Sequence, residues 1–486
     1  MAIVESPVRT TGEDGAAIAE LHQIVERQRA AFLAEPAPSL AERHALLGAL
    51  AGMLIGNRAR IAEALTSDFG VHPELSTDLI EVLGPAGRAA YVAEHLEQWM
   101  APEPRQTDPA LFGTGRAYAQ AQPKGVIGNI VPWNFPFDLS VGPLVEMLAA
   151  GNRVVIKPSE YAPASGELLR EMVHEAFEPD RVEVICGGLE LSQAFSRVRW
   201  DHLLYTGSPA TGREIAKAAA ERLVPVTLEL GGKCPALLAP DSVDAESVKQ
   251  ILGTKAIKNG QMCISVDYCL VPRDQLEKFA ELAQAYAREE MPGYGASGSC
   301  TGIISTRHLE RIESLLGEAC QRGCDVRPLE AAEEPDESRR LPISLVIDPA
   351  EDLGLMNEEI FGPVLPVKPY DTLDEAIAYI NAGERPLGLY VFAKDEATAE
   401  DVLNRTTSGG ACVNCAAVHG ALASLPFGGI GQSGSGRHHG IDGFREFSNL
   451  RAVFVRGEED LIDAFAPPYG PTASAVVEAA FGEAAG

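Results

Sequence analysis

The chain has 486 residues, 46% hydrophobic and 22% charged, which suits an ordinary soluble globular protein of two or three domains with a large core. Its net charge of −29 argues against nucleic acid and anionic lipid as partners, because both would be repelled. The longest apolar stretch near the N-terminus, "ALLGALAGMLIG" (45–56), is too short to cross a bilayer and reads as a buried helix.

No apolar leader or small-residue cleavage site precedes it in "MAIVESPVRTTGEDG", and the tail "PTASAVVEAAFGEAAG" lacks an anchoring run. Nine cysteines without regular spacing fit reduced thiols, and with them a cytoplasmic location. Residues 15–100 show apolar positions at helical spacing, so this region is expected to be helical. The Pro- and Gly-rich stretch 101–125 is a long connection or a hairpin leaving the body. From "GVIGNIVP" to "PVTLELGG", short β-branched runs alternate with helical segments about every 25 residues. That alternation predicts βαβ units on a parallel sheet. A second alternating region starts at "CPALLAP" (234–240) and runs to about 425. The charged stretch 320–342 reads as a surface loop or edge. Beyond 430 the chain is Gly-rich and then makes one more β-like run, "LRAVFVRG".

In parallel sheets ligands sit at the C-terminal strand ends, so the residues just after each strand carry the functional candidates. After the first strand comes "VPWNFP", where Pro132 and Pro136 stiffen a turn holding Trp133 and Asn134. Asn134 offers an amide donor of the kind an oxyanion site needs, and an Asn here equally serves to satisfy loop backbone groups. After the second strand, "KPSE" presents Lys157 and Glu160, a pair that can bind sugar hydroxyls or simply be solvated. Gly207 to Gly212 begins like a phosphate loop, but Arg213 and Glu214 stand where Lys and Ser or Thr are required, which excludes a nucleotide hydrolase. The strand-to-helix context still suits an anion at the helix start. Gly429 to Gly434 fits G-x-G-x-x-G without the flanking strand and helix, so it is read as a turn-rich or flexible segment. Glu229 lies between Leu228 and Leu230; a buried carboxylate there has the raised pKa of a general base, or is a paired structural group. Cys263 and Cys269 have neither metal-knuckle nor redox spacing, and "CVNC" (412–415) has no second pair to complete a zinc ribbon. No metal site is expected.

Taken together, "PWNFP", "KPSE", "YTGS", "LELGGK", "GQMC", "EEIFGP" and "PFGGIGQSGSG" resemble the aldehyde dehydrogenase superfamily, in that family's order, over residues 20–460. "CISVDY" and "SLPFGGIG" are similar to the class 3-like branch, which includes coniferyl aldehyde and fatty aldehyde dehydrogenases. The resemblance implies an α/β fold: a Rossmann-like parallel-sheet cofactor domain (1–230, with 101–125 contributing to a bridging β-arm), an α/β catalytic domain (231–430), a return and oligomerisation arm (431–460) and a tail (461–486). It implies Cys263 as nucleophile, Asn134 and the Cys263 N–H as oxyanion donors, and Glu229 as the base that activates water. Trp133, Lys157, Glu160, Gly207, Ser208, Gly212, Leu230, Glu359 and Phe361 are then the residues around NAD, with NADP a second cofactor used in this branch. Cys269 becomes a strand-core residue. The implied reaction is oxidation of an aldehyde, aromatic and phenylpropanoid-type or medium-to-long aliphatic, to the acid, by a homodimer. The rivals are a CoA-acylating or phosphorylating relative, which generally lacks the Glu at position 229, and a catalytically silent binding or structural protein on the same fold. The chain departs from close relatives at Cys415, where Asp commonly follows Val-Asn, and in its tail from 472.

Overall fold

The computed structural model describes residues 11–330 and 338–484. The leader reading for residues 1–10 and part of the 320–342 loop lie outside the described residues. The helical region is four long helices, Thr11–Ala34, Leu40–Gly56, Arg58–Phe69 and Gly84–Met100. The second opens on a capping box: Ser39 Oγ accepts the Glu42 N–H, and the Glu42 carboxylate accepts the Ser39 N–H. Its Leu47, Leu50 and Leu54 are buried. Between the third and fourth helices, Thr77–Leu83 winds as a π-helical turn that buries Glu81 completely while Leu79 and Leu83 stay exposed.

Strands β1 (Glu103–Arg105) and β2 (Arg116–Pro123) pair antiparallel in the 101–125 segment. Strands β3 (Val126–Ile130), β4 (Arg153–Lys157), β5 (Val182–Val184), β6 (His202–Gly207) and β7 (Val226–Leu230) follow, with helices between them. They lie parallel in the order β7-β6-β3-β4-β5. Alternate residues feed different cores. Ile127, Val154, Ile156 and Leu204 point into one cluster, and Val126, Val155, Leu203 and Tyr205 into another. A sheet buried on both faces explains why its strands read as continuous apolar runs.

A second sheet holds β8 (Pro235–Leu238), β9 (Tyr268–Pro272), β10 (Asp325–Pro328), β11 (Ser344–Ile347), β12 (Val364–Tyr370), β13 (Gly388–Phe392) and β14 (Gly410–Val413), in the order β10-β11-β12-β9-β8-β13-β14. Only β10 runs antiparallel to its neighbour among these described strands. Cys269 sits in β9, completely buried in this sheet's core.

The chain then returns. β15 (Gly434–Ser435) adds antiparallel to β7, and β16 (Ser448–Val455) pairs with β2 over eight residues. The 429–434 segment is therefore a turn that leads into a strand of the first sheet. Two residues are too few to show a β pattern. The tail forms an exposed helix, Pro471–Ala484.

Candidate active site

The first sheet reverses direction of winding between β3 and β6, and the cleft opens at that switch point. Its volume is about 370 Å³. Eleven of the twelve residues singled out in the sequence line it: Trp133, Asn134, Lys157, Glu160, Gly207, Ser208, Glu229, Leu230, Cys263, Glu359 and Phe361. The exception is Gly212. It lies behind the cleft in the helix Pro209–Ala220, where a Cβ would come within 2.7 Å of Leu230 Cδ2. Its lack of a side chain lets that helix seat against β7, so it supports the wall without forming it.

Cys263 follows a backbone bend in which Lys258, Asn259 and Gly260 all have positive φ (50°, 54° and 77°). Gly260 is required at the bend, because a Cβ there would strike the Gly362 carbonyl as well as strain the turn. Burial pushes the Cys263 thiol up, reinforced by the Glu359 and Glu229 carboxyls. The Cys263 carbonyl accepts the thiol of Cys234 at 3.4 Å, and that buried sulfur accepts the Gly388 N–H at 3.2 Å. Asn134 is 2% exposed and donates through Nδ2 to the Gln261 carbonyl at 3.1 Å. One amide hydrogen thus satisfies a loop carbonyl, as the backbone-satisfying reading expects, and the side chain also lines the cleft.

Glu229, at the end of β7, is 3% exposed, and neither carboxylate oxygen has a hydrogen-bond partner. Burial drives its pKa well above the ordinary carboxyl range, against the pull of Arg437 and with the push of Glu446. The nearest imidazole nitrogen, His438 Nε2, is 3.9 Å away. Glu229 makes no hydrogen bond of the kind a paired structural group would.

Glu359 rests its carboxylate against Gly231, where a Cβ would collide with it. Burial, then Asp267, pushes its pKa up to about 8, and its Oε1 is unpartnered. The loop carrying it is held by residues the sequence reading passed over. Lys233 is ion-paired to Asp267 and donates to the carbonyls of Leu355 (2.8 Å) and Glu358 (3.0 Å), while Asp267 accepts the Ile360 N–H at 2.9 Å. Arg311 donates to the Ile360 carbonyl. The signal for the first pair was present in "GGK" and "SVDY", motifs read for their neighbours alone. Phe361 adopts φ 50° and meets the Trp133 ring edge-on at 5.3 Å, and His308 also meets Trp133 edge-on, at 5.0 Å.

At the other end, Lys157 Nζ and Glu160 Oε2 are 2.7 Å apart, with Lys157 1% exposed. Ser208 caps the helix Pro209–Ala220, its Oγ accepting the Thr211 N–H. Among the described residues no cluster of His, Cys, Asp and Glu could hold a metal ion, and no helix is long and apolar enough to cross a membrane.

Residues 10–453 match the model of the aldehyde dehydrogenase family. The chain is 42% identical over 474 residues to a probable coniferyl aldehyde dehydrogenase of Caulobacter vibrioides, covering 96% of this chain and 97% of that one. It is 35% identical to aldehyde dehydrogenase family 3 member B1 of Rattus norvegicus, covering 92% and 94%. Its fold superposes on a substrate-bound state of Staphylococcus aureus AldH with a TM-score of 0.88 at 30% identity, over 95% of this chain and 99% of that one. It also superposes on a Mycobacterium tuberculosis aldehyde dehydrogenase complexed with NAD+, with a TM-score of 0.80 at 27% identity, over 90% of each. A match over nearly the full length, with every motif but one lining a single cleft, establishes that the chain belongs to the aldehyde dehydrogenase family.

Proposed function

We propose that this aldehyde dehydrogenase oxidises an aromatic, phenylpropanoid-type aldehyde such as coniferaldehyde to the free acid with NAD, through a thioester on Cys263. The observation that carries the hydrolytic reading is Glu229: a buried, unpartnered carboxyl on the same cleft as Cys263. A CoA-acylating enzyme has no use for such a base, and a silent scaffold no reason to bury one without a partner.

The donor set suits a nicotinamide dinucleotide. Lys157 and Glu160 can hold the adenosine ribose, and Gly207, Ser208 and the following helix start suit a pyrophosphate. The unpartnered Glu359 Oε1 suits the hydroxyls of the nicotinamide ribose, with Trp133, Leu230 and Phe361 around the ring. When bound, that cofactor supplies the hydride acceptor. Cys263 releases its proton to solvent water and its sulfur adds to the aldehyde carbon. The oxyanion is held by Asn134 and the Cys263 N–H. Loss of hydride restores the carbonyl as a thioester. Glu229 then takes a proton from water, the hydroxide attacks, and collapse expels the Cys263 thiolate and the acid.

The substrate class draws support from the coniferyl aldehyde dehydrogenase relative and from the apolar surroundings of Cys263, which packs in one cluster with Phe135, Ile80, Leu139, Cys415 and Ala417. We also propose a division into a cofactor domain (1–230), a catalytic domain (231–430), a return arm (431–460) and a tail (461–486). A homodimer would be built on the β1-β2-β16 sheet, whose last strand exposes Leu450, Phe454 and Val455. Free cysteines throughout are consistent with a cytoplasmic location. The test is a panel of purified-enzyme rates with coniferaldehyde, benzaldehyde, hexanal and succinic semialdehyde. Coniferaldehyde should have the highest kcat/KM; a preference for succinic semialdehyde refutes the aromatic assignment. A monomer mass in light scattering refutes the dimer.

A further inference from the structure

Two loops carry the oxyanion donors assigned above: Asn134 comes after β3, and the Cys263 backbone comes 129 residues later, after the helix Ala245–Ala256. Something must set the distance between them. Lys258 and Glu81 lie completely buried, with Lys258 Nζ 2.8 Å from Glu81 Oε1. The other oxygen of Glu81 accepts the N–H of Phe137 (3.0 Å) and of Asp138 (2.9 Å), at the start of the helix that follows the Asn134 turn. The Lys258 carbonyl accepts the Gln261 side-chain amide (2.9 Å) and N–H (3.1 Å), and the Gln261 carbonyl accepts from Asn134. The chain of bonds closes on itself: Asn134, Gln261, Lys258, Glu81, Phe137 and back along the backbone to Asn134. Lys258 also lies over the rings of Phe69 (4.5 Å) and Phe135 (5.0 Å), and Phe135 is the residue next to Asn134.

We infer that the buried Lys258–Glu81 ion pair is a positioning device, which fixes the Asn134 turn against the Cys263 loop and so aligns the two oxyanion donors. Neither residue lines the cleft, so neither touches substrate. A buried pair of this kind contributes little net stability beside well-packed apolar residues, and defining one geometry is the better-attested use of such pairs. Here the geometry would be the separation of two donors, on which oxyanion stabilisation depends steeply. The φ of 50° at Lys258 belongs to the same device, because the residue is held in a strained turn with its side chain pinned.

The inference rests on the assignment of Asn134 as an oxyanion donor, so the test separates the two. The doubly neutral variant Lys258→Met/Glu81→Gln removes the charges and keeps an oxygen for the Phe137 and Asp138 N–H groups. Asn134→Ala is made in the wild type and in that variant, and the single-turnover rate of cofactor reduction is measured in all four proteins, with NAD affinity by fluorescence titration. Asn134→Ala should cost roughly 10²-fold in the wild type, the usual loss for one oxyanion donor. The neutral pair alone should lose on the order of tenfold in the same rate, with NAD affinity within about twofold, and in that background Asn134→Ala should cost tenfold or less. A merely structural pair would leave the Asn134 penalty unchanged, which overturns the inference. No penalty from Asn134→Ala in the wild type overturns instead the assignment of Asn134. If the double variant does not fold, the same cycle with Glu81→Gln alone is read by the same criteria.

Discussion

Gly434 of β15 is the register partner of Glu229 of β7, so a two-residue strand from late in the chain pairs with the backbone that carries the buried carboxyl. A Cβ at Gly434 would strike the Leu228 carbonyl, and its φ of 141° suits glycine. The backbone of Glu229 is thus fixed on both sides, by β6 and by β15, while its carboxylate oxygens stay buried without hydrogen-bond partners. Glu229→Gln removes the proton acceptor and little else. It should give a burst of reduced cofactor of up to about one equivalent per site, followed by turnover slowed roughly 10²–10⁴-fold. Rapid-mixing absorbance reads both phases, and unchanged steady-state turnover would take Glu229 out of the mechanism.

The same burial sets the pH dependence. Hydrolysis needs the Glu229 carboxylate, and its raised pKa keeps the carboxyl protonated above the ordinary range near 4.3. The acid limb of kcat should therefore lie well above pH 4.3, with the rate rising about tenfold per pH unit along it. A kcat profile flat down to pH 5 would contradict the raised carboxyl.

Cys263→Ala should abolish oxidation and leave cofactor binding near normal, because only the covalent step is lost. Cys269→Ala should keep most activity and lose about 1 kcal/mol of stability, for a small cavity in the second sheet's core. Activity assays with a denaturation midpoint for each variant decide it. A dead Cys269→Ala beside an active Cys263→Ala would reverse the roles.

Glu160 should make NAD the preferred cofactor. A 2′-phosphate brings about two negative charges towards its carboxylate. Like charges a few ångströms apart cost on the order of 1–4 kcal/mol, or about one to three decades in affinity. Lys157, 2.7 Å from Glu160, offsets part of this, so the preference should fall at the low end. Glu160→Gln should narrow the kcat/KM ratio of NAD to NADP, mainly by improving NADP. An unmoved ratio means another residue discriminates.

Glu359 links pH to stability in the protein without cofactor. The folded protein keeps its proton up to pH about 8, while the unfolded chain releases it near 4.3. The folded state thus binds the extra proton between those values, and its stability falls as pH rises through that window. Glu359→Gln removes the loss. Relative to wild type it should gain roughly 2–4 kcal/mol at pH 8 and nothing at pH 4, measured by denaturant unfolding. An equal effect at both pH values would mean that the carboxyl is not titrating there.

Candidate residues of the cleft were legible where they sit at or just after the end of a strand of the doubly wound sheet, because both the apolar run and the polar residue beside it are local signals. Asn134, Lys157, Ser208 and Glu229 were found that way. Glu81 and Lys258 were not, since they lie 177 residues apart and each alone looks like a solvated charge. Nothing local says that a π-helical turn rotates Glu81 inward. Gly212 shows the opposite case: a glycine closing a loop-like motif suggests a phosphate, and no local signal tells that its missing side chain makes room for Leu230.

The order in which the strands are threaded has a consequence for biogenesis. β7 emerges with residue 230 but meets its outer neighbour only at residues 434–435, and β2 waits for β16 still longer. At about 5–20 residues per second, a ribosome takes on the order of 10–40 s to supply the missing edge. For that time the nascent first sheet carries an open edge strand of the kind that invites wrong pairing. Chaperone capture of translation intermediates should therefore concentrate on chains longer than residue 230 and shorter than 435, and a fragment ending at 230 should aggregate where the full chain does not.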